Sequence, residues 1–346
     1  MRLLVSAMEP SANVHLKAVA KHLENCEYIG IFDDSLGHPL YNPNEFGVMG
    51  FIDVFKKIFK AREAIKELVF LARDADKVLL IDAPAFNIPL AKAIKKAYPN
   101  KEIIYYILPK VWAWKRKRAA KVMKYTDKQL SIFPFEDAYY PTATYVGNPL
   151  MDEIALYKDE VTKNDTVAFL AGSRNREIRS LMPIIKELRA KLKDKKALLV
   201  IPAHFDDEKI KELYGDISEF EIVRDTHKAL FEASYAFVCS GTATLETALI
   251  GTPLALMYIT NKLEYKIARL VVKLPFVGLA NLLFWFKDQA PMHHEFLQEE
   301  VTVENLLKAY YEDNRAVFLE KSKVLRKMLG KDCNAKVAKL LTDDII

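Results

Sequence analysis

Glycine is scarce in this sequence, at 11 residues among 346. Each place where the backbone must turn left-handed or lie close to a ligand can therefore be located individually. Cysteine is scarcer still: Cys26, Cys239 and Cys333 are the whole set, and none has metal-ligand spacing. That excludes a disulfide framework and points to a reduced, cytoplasmic compartment. The lone histidines and His293-His294 form no HxxxH-type pattern, so no metal site is read. No run reaches the ~20 apolar residues that a spanning helix needs. The most apolar stretch, Leu274 to Phe286, is interrupted by Pro275, Gly278 and Asn281. The N-terminus reaches a charge, Glu9, too early for a secretory core. A soluble or peripheral protein is expected, with no internal repeat and no low-complexity segment.

What is present fits a globular chain. Hydrophobic residues make up 51% and charged residues 28%, and a prior of ~150 residues per domain gives two domains. The net charge of +5 is too small to imply nucleic acid. The excess is local: Lys110, Lys115, Arg116, Lys117, Arg118, Lys121 and Lys124 fall within 15 residues that hold no acid. Such a patch suits phosphate or anionic lipid.

Short apolar runs alternate with helical patterns. Arg2–Ala7, Lys77–Ile81, Glu102–Ile107 and Gln129–Phe133 read as strands, with helices at about Val14–Glu24 and Ile88–Ala97 and a basic helix before Gln129. The pattern restarts with Thr166–Ala171, Ala197–Ile201, Glu219–Val223, Ala236–Ser240 and Leu254–Ile259. Strands alternating with helices predict βαβ units and parallel sheets, here as two Rossmann-like domains, 1–150 and 151–330, facing each other. The turn residues Gly147-Asn148-Pro149 mark the linker. A last helix, within about 331–346, is placed to cross back onto the first domain.

In open parallel sheets, ligands sit beyond the C-terminal strand ends. The strand ending at Cys239 is followed by Ser240-Gly241-Thr242-Ala243-Thr244-Leu245-Glu246 and a helix. Gly241 permits close approach, the hydroxyls and helix N-terminus suit a diphosphate, and Glu246 could accept from ribose hydroxyls. The same residues could simply cap the helix. Gly172-Ser173-Arg174 follows another strand in the same way, and an Arg can clamp a diphosphate bidentately. It could equally be a surface Arg in a capped turn. Two such turns in one half-chain favour a shared anion site. The first loop, Ala7 to Asn13, has no Gly, so the nucleotide is assigned to the second domain and the acceptor to the first. Asp82 closes a first-domain strand ahead of Ala83-Pro84-Ala85-Phe86-Asn87. Asn87 is placed to cap the next helix, which leaves Asp82 as a general base or as an acceptor for loop N–H groups.

Two stretches have a membrane-facing composition. Along Asp53–Ala72, Phe55, Phe59 and Phe70 fall beside the apolar stripe, bordered by Lys56 and Lys60. This is either an interfacial face or a wide core stripe. Val111-Trp112-Ala113-Trp114 leads into the basic helix and suits a lipid interface, an acceptor-phosphate pocket or a solvated face.

Taken in order, these segments resemble the lipid-A-disaccharide synthases. The resemblance rests on Val48 to Val54, Ile81-Asp82-Ala83-Pro84 with Phe86-Asn87, and Tyr105-Tyr106 with Pro109 and Val111 to Trp114. It continues through Pro134-Phe135-Glu136, Gly147 with Pro149, Gly172-Ser173-Arg174 with Glu177, Ser240 to Glu246, Asn281-Leu282-Leu283 and Leu297-Gln298-Glu299. It implies a GT-B fold and an inverting, metal-independent transfer in which the UDP-sugar is a substrate and no cofactor is needed. UDP-2,3-diacylglucosamine and 2,3-diacylglucosamine 1-phosphate would give the β-1,6-linked lipid A disaccharide 1-phosphate and UDP. Asp82 would be the base and Glu9 a second functional acid. Gly172, Ser173, Arg174, the Ser240–Glu246 turn (Ser240, Gly241, Thr242, Ala243, Thr244 and Glu246), Asn281 and Gln298 would form the donor side. Ser11, Asn87, Trp112, Trp114, Arg116, Arg118, Phe55 and Phe59 would lie toward the acceptor or the membrane. The resemblance also implies a peripheral protein on the inner face of the cytoplasmic membrane of a Gram-negative bacterium, and it admits homodimers.

The chain departs from that pattern. Met8, Ala12 and Asn13 stand where the family usually has Gly, Gly and Asp. Ala85 replaces a second Asp, Asn148 a His and Ala171 a Pro. Two alternatives share the fold. A sugar-nucleotide 2-epimerase would act on UDP-N-acetylglucosamine without acceptor, and the aromatic arc and Trp-basic helix count against it. A non-catalytic membrane-associated binder of nucleotide sugars would bind vesicles without turnover.

Overall fold

The computed structural model describes residues 1–46 and 53–343; the side chains of residues 53–58 lie outside that description. So do Val48 to Ile52 of the family pattern and the side chain of Phe55. The chain divides into two compact units, one made of Met1–Asp152 with Leu329–Ile346, the other of Glu153–Met328.

The first unit carries β1 (Arg2–Ser6), β2 (Glu27–Ile31), β3 (Lys77–Ile81), β4 (Ile103–Tyr106), β5 (Lys128–Ser131) and β6 (Thr144–Tyr145). These six form one parallel sheet in the order β2-β1-β3-β4-β5-β6. Its central strand, β3, is buried along its whole length, as expected of a parallel sheet covered on both faces. Lys77 is tolerated there because its ammonium is paired with Glu102 at 3.1 Å and donates to the Asp343 carbonyl at 2.5 Å. The helix Cys333–Thr342 belongs to this unit, fastened by Asn334 N–H to Asp152 (2.8 Å) and by Asn148 N–H to the Leu329 carbonyl (2.9 Å).

The second unit carries β7 (Thr166–Leu170), β8 (Lys196–Val200), β9 (Glu221–Val223), β10 (Tyr235–Cys239), β11 (Leu254–Tyr258) and β12 (His294–Leu297). They form a second parallel sheet, β12-β11-β10-β7-β8-β9. Phe169, Phe237, Leu199 and Tyr235 from the sheet pack with Leu181, Ile185 and Leu188 from the helix Asn175–Lys191. Each such side chain, fully buried, contributes roughly 2 kcal/mol. The helix holds its place despite Pro183 because packing, rather than propensity, fixes it.

Sequence periodicity omits β2, β6 and β12. All three are edge strands, and β6 and β12 are also short, at two and four residues. β2 contains Gly30 at φ 115°, where a Cβ would strike the Val5 carbonyl oxygen. This glycine marks a close approach of two strands rather than a ligand. Two helices begin earlier than periodicity suggests, at Pro10 and Pro84. In both, proline occupies the first turn, where its missing N–H costs nothing.

Candidate active site

In each sheet the strand order reverses at one point. In the first unit β1 is flanked by β2 and β3, so the crevice lies beyond the ends of β1 and β3. In the second it lies beyond β7 and β10. Such switch points are where open α/β sheets bind ligands.

At the first switch point stand the two acids expected from the sequence. Glu9 follows β1 as the residue that precedes the helix Pro10–Ala20, and its side chain caps nothing. Asp82 follows β3, half-buried. Burial raises its carboxyl above the ordinary range, against the opposing pull of Lys110, the Ala83 N–H and His15. Glu9 is raised in turn, first by desolvation and then by the charge of Asp82. Glu9 thus titrates in the field of the Asp82 charge, and Lys110 opposes the rise at both acids. Along the sequence Lys110 is only part of a basic run; the fold brings its charge to bear on both acids.

The backbone beneath Asp82 is unusual. Asp82 and Ala83 both adopt left-handed conformations, at φ 49° and 42°. Each costs about 1 kcal/mol or more for a residue with a Cβ. Asn87 corrects an expectation: it is neither the cap of the next helix, which starts at Pro84, nor exposed to an acceptor. It is fully buried, and its amide donates to the carbonyls of Asp82 (2.9 Å) and Ile81 (3.2 Å). Its own oxygen accepts from the Ser6 hydroxyl at 2.6 Å, and the Tyr105 hydroxyl donates to the Asp82 carbonyl at 2.5 Å. These bonds hold the strained turn that presents the Asp82 carboxylate.

Of the first-loop departures, Asn13 has a clear physical account. Its amide donates to the carbonyls of Ala7 (2.8 Å) and Glu9 (2.9 Å), and its oxygen accepts from the Asp33 N–H at 2.8 Å. An ionised Asp has no donor for those two carbonyls. Ser11 lies exposed on the first turn of the helix Pro10–Ala20.

The tryptophan pair separates. Trp112 is 6% exposed, edge-on to Phe133 and Phe135, with its N–H donating to Glu136 at 3.3 Å. The membrane or acceptor role expected for Trp112 is corrected to a core one. Trp114 is 44% exposed, with Lys115 and Arg118 over its ring at 4.1 and 5.3 Å. Arg116 lies over Tyr139. Phe59 and Phe70 are both exposed.

Glu136 yields a stability prediction. Burial pushes its carboxyl from 4.5 up to about 7, although Trp112 and the N–H groups of Phe133 and Ile132 favour the charged form. Between those two values the folded chain holds a proton that the unfolded chain releases. The contribution of Glu136 to folding is therefore greatest below pH 4.5, falls as pH rises toward 7 and then levels off. Thermal melts of Glu136→Gln are expected to lack this portion of the slope. An unchanged pH profile would place its origin elsewhere.

At the second switch point the two expected turns meet around one cavity of about 370 Å³. Gly172, Ser173 and Arg174 come from the end of β7, and Ser240, Gly241, Thr242, Ala243 and Glu246 from the end of β10. The helix Thr242–Ile250 starts at Gly241 with no side-chain cap. The Thr244 N–H is met by the Gly241 carbonyl at 3.2 Å, and no side chain at Gly241 caps the turn. Gly172 has φ 95°, and a Cβ there would come within 2.7 Å of a Glu177 oxygen and 3.0 Å of the Cys239 sulfur. Glu177 also receives the Arg174 guanidinium at 2.7 Å and the Arg174 backbone N–H at 3.4 Å.

Three donor-side expectations change in detail. The Thr244 hydroxyl is turned inward, donating to the Gly241 carbonyl at 2.8 Å, so Thr244 is not one of the lining groups. Asn281 is fully buried. Its amide donates to the His293 carbonyl (3.0 Å) and Glu295 (2.8 Å), and its oxygen accepts from the N–H groups of Met292 and His293. It is drawn together with the entry to β12 rather than with the cavity. Gln298, at φ 56°, accepts from the Thr260 N–H at 3.1 Å, while its buried amide nitrogen has no partner among the described residues. His227, which carries no motif, lies 3.3 Å from Glu246. Hydrogen bonding to Glu246 raises the imidazole above its usual range, against partial burial.

A family model described as lipid-A-disaccharide synthetase matches residues 3–339. The chain belongs to the lipid-A-disaccharide synthase family. The lipid-A-disaccharide synthase of Campylobacter jejuni (strain RM1221) is 46% identical over 362 residues, covering 98% of this chain and 99% of that protein. The one from Helicobacter pylori (strain G27) is 45% identical over 350 residues, covering 97% and 96%. A UDP-GlcNAc 2-epimerase structure from Methanocaldococcus jannaschii superposes with a TM-score of 0.58, over 99% of each chain, at 14% identity. That likeness is one of fold alone. With two parallel α/β sheets, this synthase-family chain has the GT-B architecture expected from its sequence.

Proposed function

We propose that the second unit holds UDP-2,3-diacylglucosamine and the first unit the 2,3-diacylglucosamine 1-phosphate acceptor. The observation that carries this division is the cavity between the β7 and β10 turns. Uncapped N–H groups and Arg174 offer a diphosphate both dipole and charge. The first switch point offers carboxylates instead, which suit a hydroxyl about to lose its proton. In the transfer, Asp82 takes the proton of the acceptor's 6-hydroxyl. That oxygen forms a bond to the donor's anomeric carbon from the face opposite the diphosphate, inverting it. The bond from that carbon to the diphosphate breaks, and UDP leaves with its electron pair, its charge met by Arg174 and the helix N-terminus. The products are the β-1,6-linked disaccharide 1-phosphate and UDP. Gln298, with its unpartnered amide, would add a donor on the nucleotide side.

Both substrates are lipids, so the reaction belongs at a membrane surface, on this reading the inner face of the cytoplasmic membrane. Among the described residues, no helix is long and apolar enough to cross a membrane. The test is UDP release from detergent-dispersed substrates. Release is expected only when both diacylated sugars are present. Turnover of UDP-N-acetylglucosamine without acceptor would instead establish an epimerase, and UDP release from neither mixture would leave a binding protein.

A further inference from the structure

Beyond the reaction lies a helix that the fold does not use. Lys262–Val271 has no buried residue. A helix of ten residues on a globular unit normally buries an apolar stripe. This one has such a stripe and leaves it uncovered in its unit. Leu263, Ile267, Leu270 and Val271 are 66%, 52%, 78% and 51% exposed. At 100° per residue they fall within one arc of about 100°. Four large aliphatic side chains on one narrow arc form a patch, unlike the scattered exposed leucines of ordinary surfaces.

The charges beside the patch name its partner. Lys262, Lys266 and Arg269 lie along one border, and Lys273 follows the helix end. The lone acid on the helix, Glu264, faces the other border, where it is hydrogen-bonded to Thr260 and paired with Arg176. The Arg269, Lys273, Pro275 and Trp285 side chains meet in a shallow groove at the helix end, with Trp285 itself exposed. Aliphatic residues on one side, cations at their edge and a Trp at the rim form the pattern of a helix lying in a lipid–water interface.

We propose that the helix Lys262–Val271 is a membrane-docking surface of the second unit, seating its apolar arc among the acyl chains of anionic phospholipid. The inference does not depend on the assignment of donor and acceptor. It gives the second unit its own contact with the membrane, separate from Phe59 and Phe70 on the first unit.

The test uses the full chain and sedimentation with phosphatidylethanolamine–phosphatidylglycerol vesicles, with phosphatidylcholine vesicles as the neutral comparison. Binding is expected to favour the anionic vesicles and to weaken with salt. The variant Leu263→Ser/Ile267→Ser/Leu270→Ser/Val271→Ser is expected to lose about tenfold or more of its partition. Its UDP release in detergent should match that of the unaltered chain, so a failure of docking and a failure of the enzymatic reading give different results. Phe59→Ser/Phe70→Ser serves as the comparison for the first unit. If that variant abolishes binding while the quadruple variant loses none, the proposal is overturned. It is also overturned if the quadruple variant changes the oligomeric state in sedimentation velocity and keeps its vesicle affinity, because the face would then serve a second copy. Should the quadruple variant misfold, Lys266→Glu/Lys273→Glu tests the same surface: it should lower partition on anionic vesicles alone, and unchanged partition overturns the proposal.

Discussion

Asp82→Asn is expected to lower turnover by about 10²- to 10⁴-fold, the range for loss of a positioned general base, while UDP affinity stays within error. The amide keeps the size and most of the hydrogen bonding of the carboxylate but cannot take the acceptor's proton. Structural collapse is a poor rival explanation. The left-handed turn at Asp82 and Ala83 is held through main-chain carbonyls by Asn87 and Tyr105, not through the Asp82 side chain. The unaltered enzyme should also show a rate that rises with pH through the ionisation of Asp82. Burial raises that group, so the rise should lie above the usual range for an aspartate. The measurements are steady-state UDP release across pH and calorimetric titration with UDP. A turnover number unchanged in Asp82→Asn would remove the residue as base and shift attention to Glu9.

Arg174→Ala carries the second large effect, on binding. A charge-assisted hydrogen bond contributes about 1.5–3 kcal/mol, which corresponds to a loss in UDP affinity of roughly 10- to 100-fold. The structure adds a reason for the upper part of that range. Arg174 is the cation paired with Glu177 at 2.7 Å. Without it, Glu177 would present an uncompensated negative charge at the cavity proposed for the diphosphate. Arg174→Ala/Glu177→Gln should therefore recover part of the lost affinity. A UDP dissociation constant that does not move in Arg174→Ala would refute the clamp.

The residues whose roles changed on folding share a cause. Thr244 lies in a turn of hydroxyls that all look available along the chain, yet a helical threonine can donate back to a preceding carbonyl, and Thr244 does so. Trp112 and Trp114 are two residues apart, so on a turning backbone one meets the core while the other meets solvent. Periodicity cannot tell which. Asn87 resembles a helix cap until the helix is found to begin at Pro84, three residues earlier. In each case local sequence restricts the chemistry of a side chain but not its direction.

By itself, the sequence determined the two series of βαβ units, the turns Gly172-Ser173-Arg174 and Ser240 to Glu246, and the acid at Asp82. These follow from short-range patterns: apolar alternation, glycine before a helix start, and a charge at a strand end. Tertiary structure alone decided which strands are neighbours. β7 and β10 begin 69 residues apart, at Thr166 and Tyr235, yet they pair directly, and that pairing brings two weak turns around one cavity. β1 and β3 pair likewise, which brings the field of Asp82 onto Glu9. The same holds for the uncovered face of Lys262–Val271: its apolar arc can be read from the sequence, but only the fold shows that nothing in its unit covers it. Strand order and burial are settled by the competition of whole elements for one core, and no local window of sequence contains that competition.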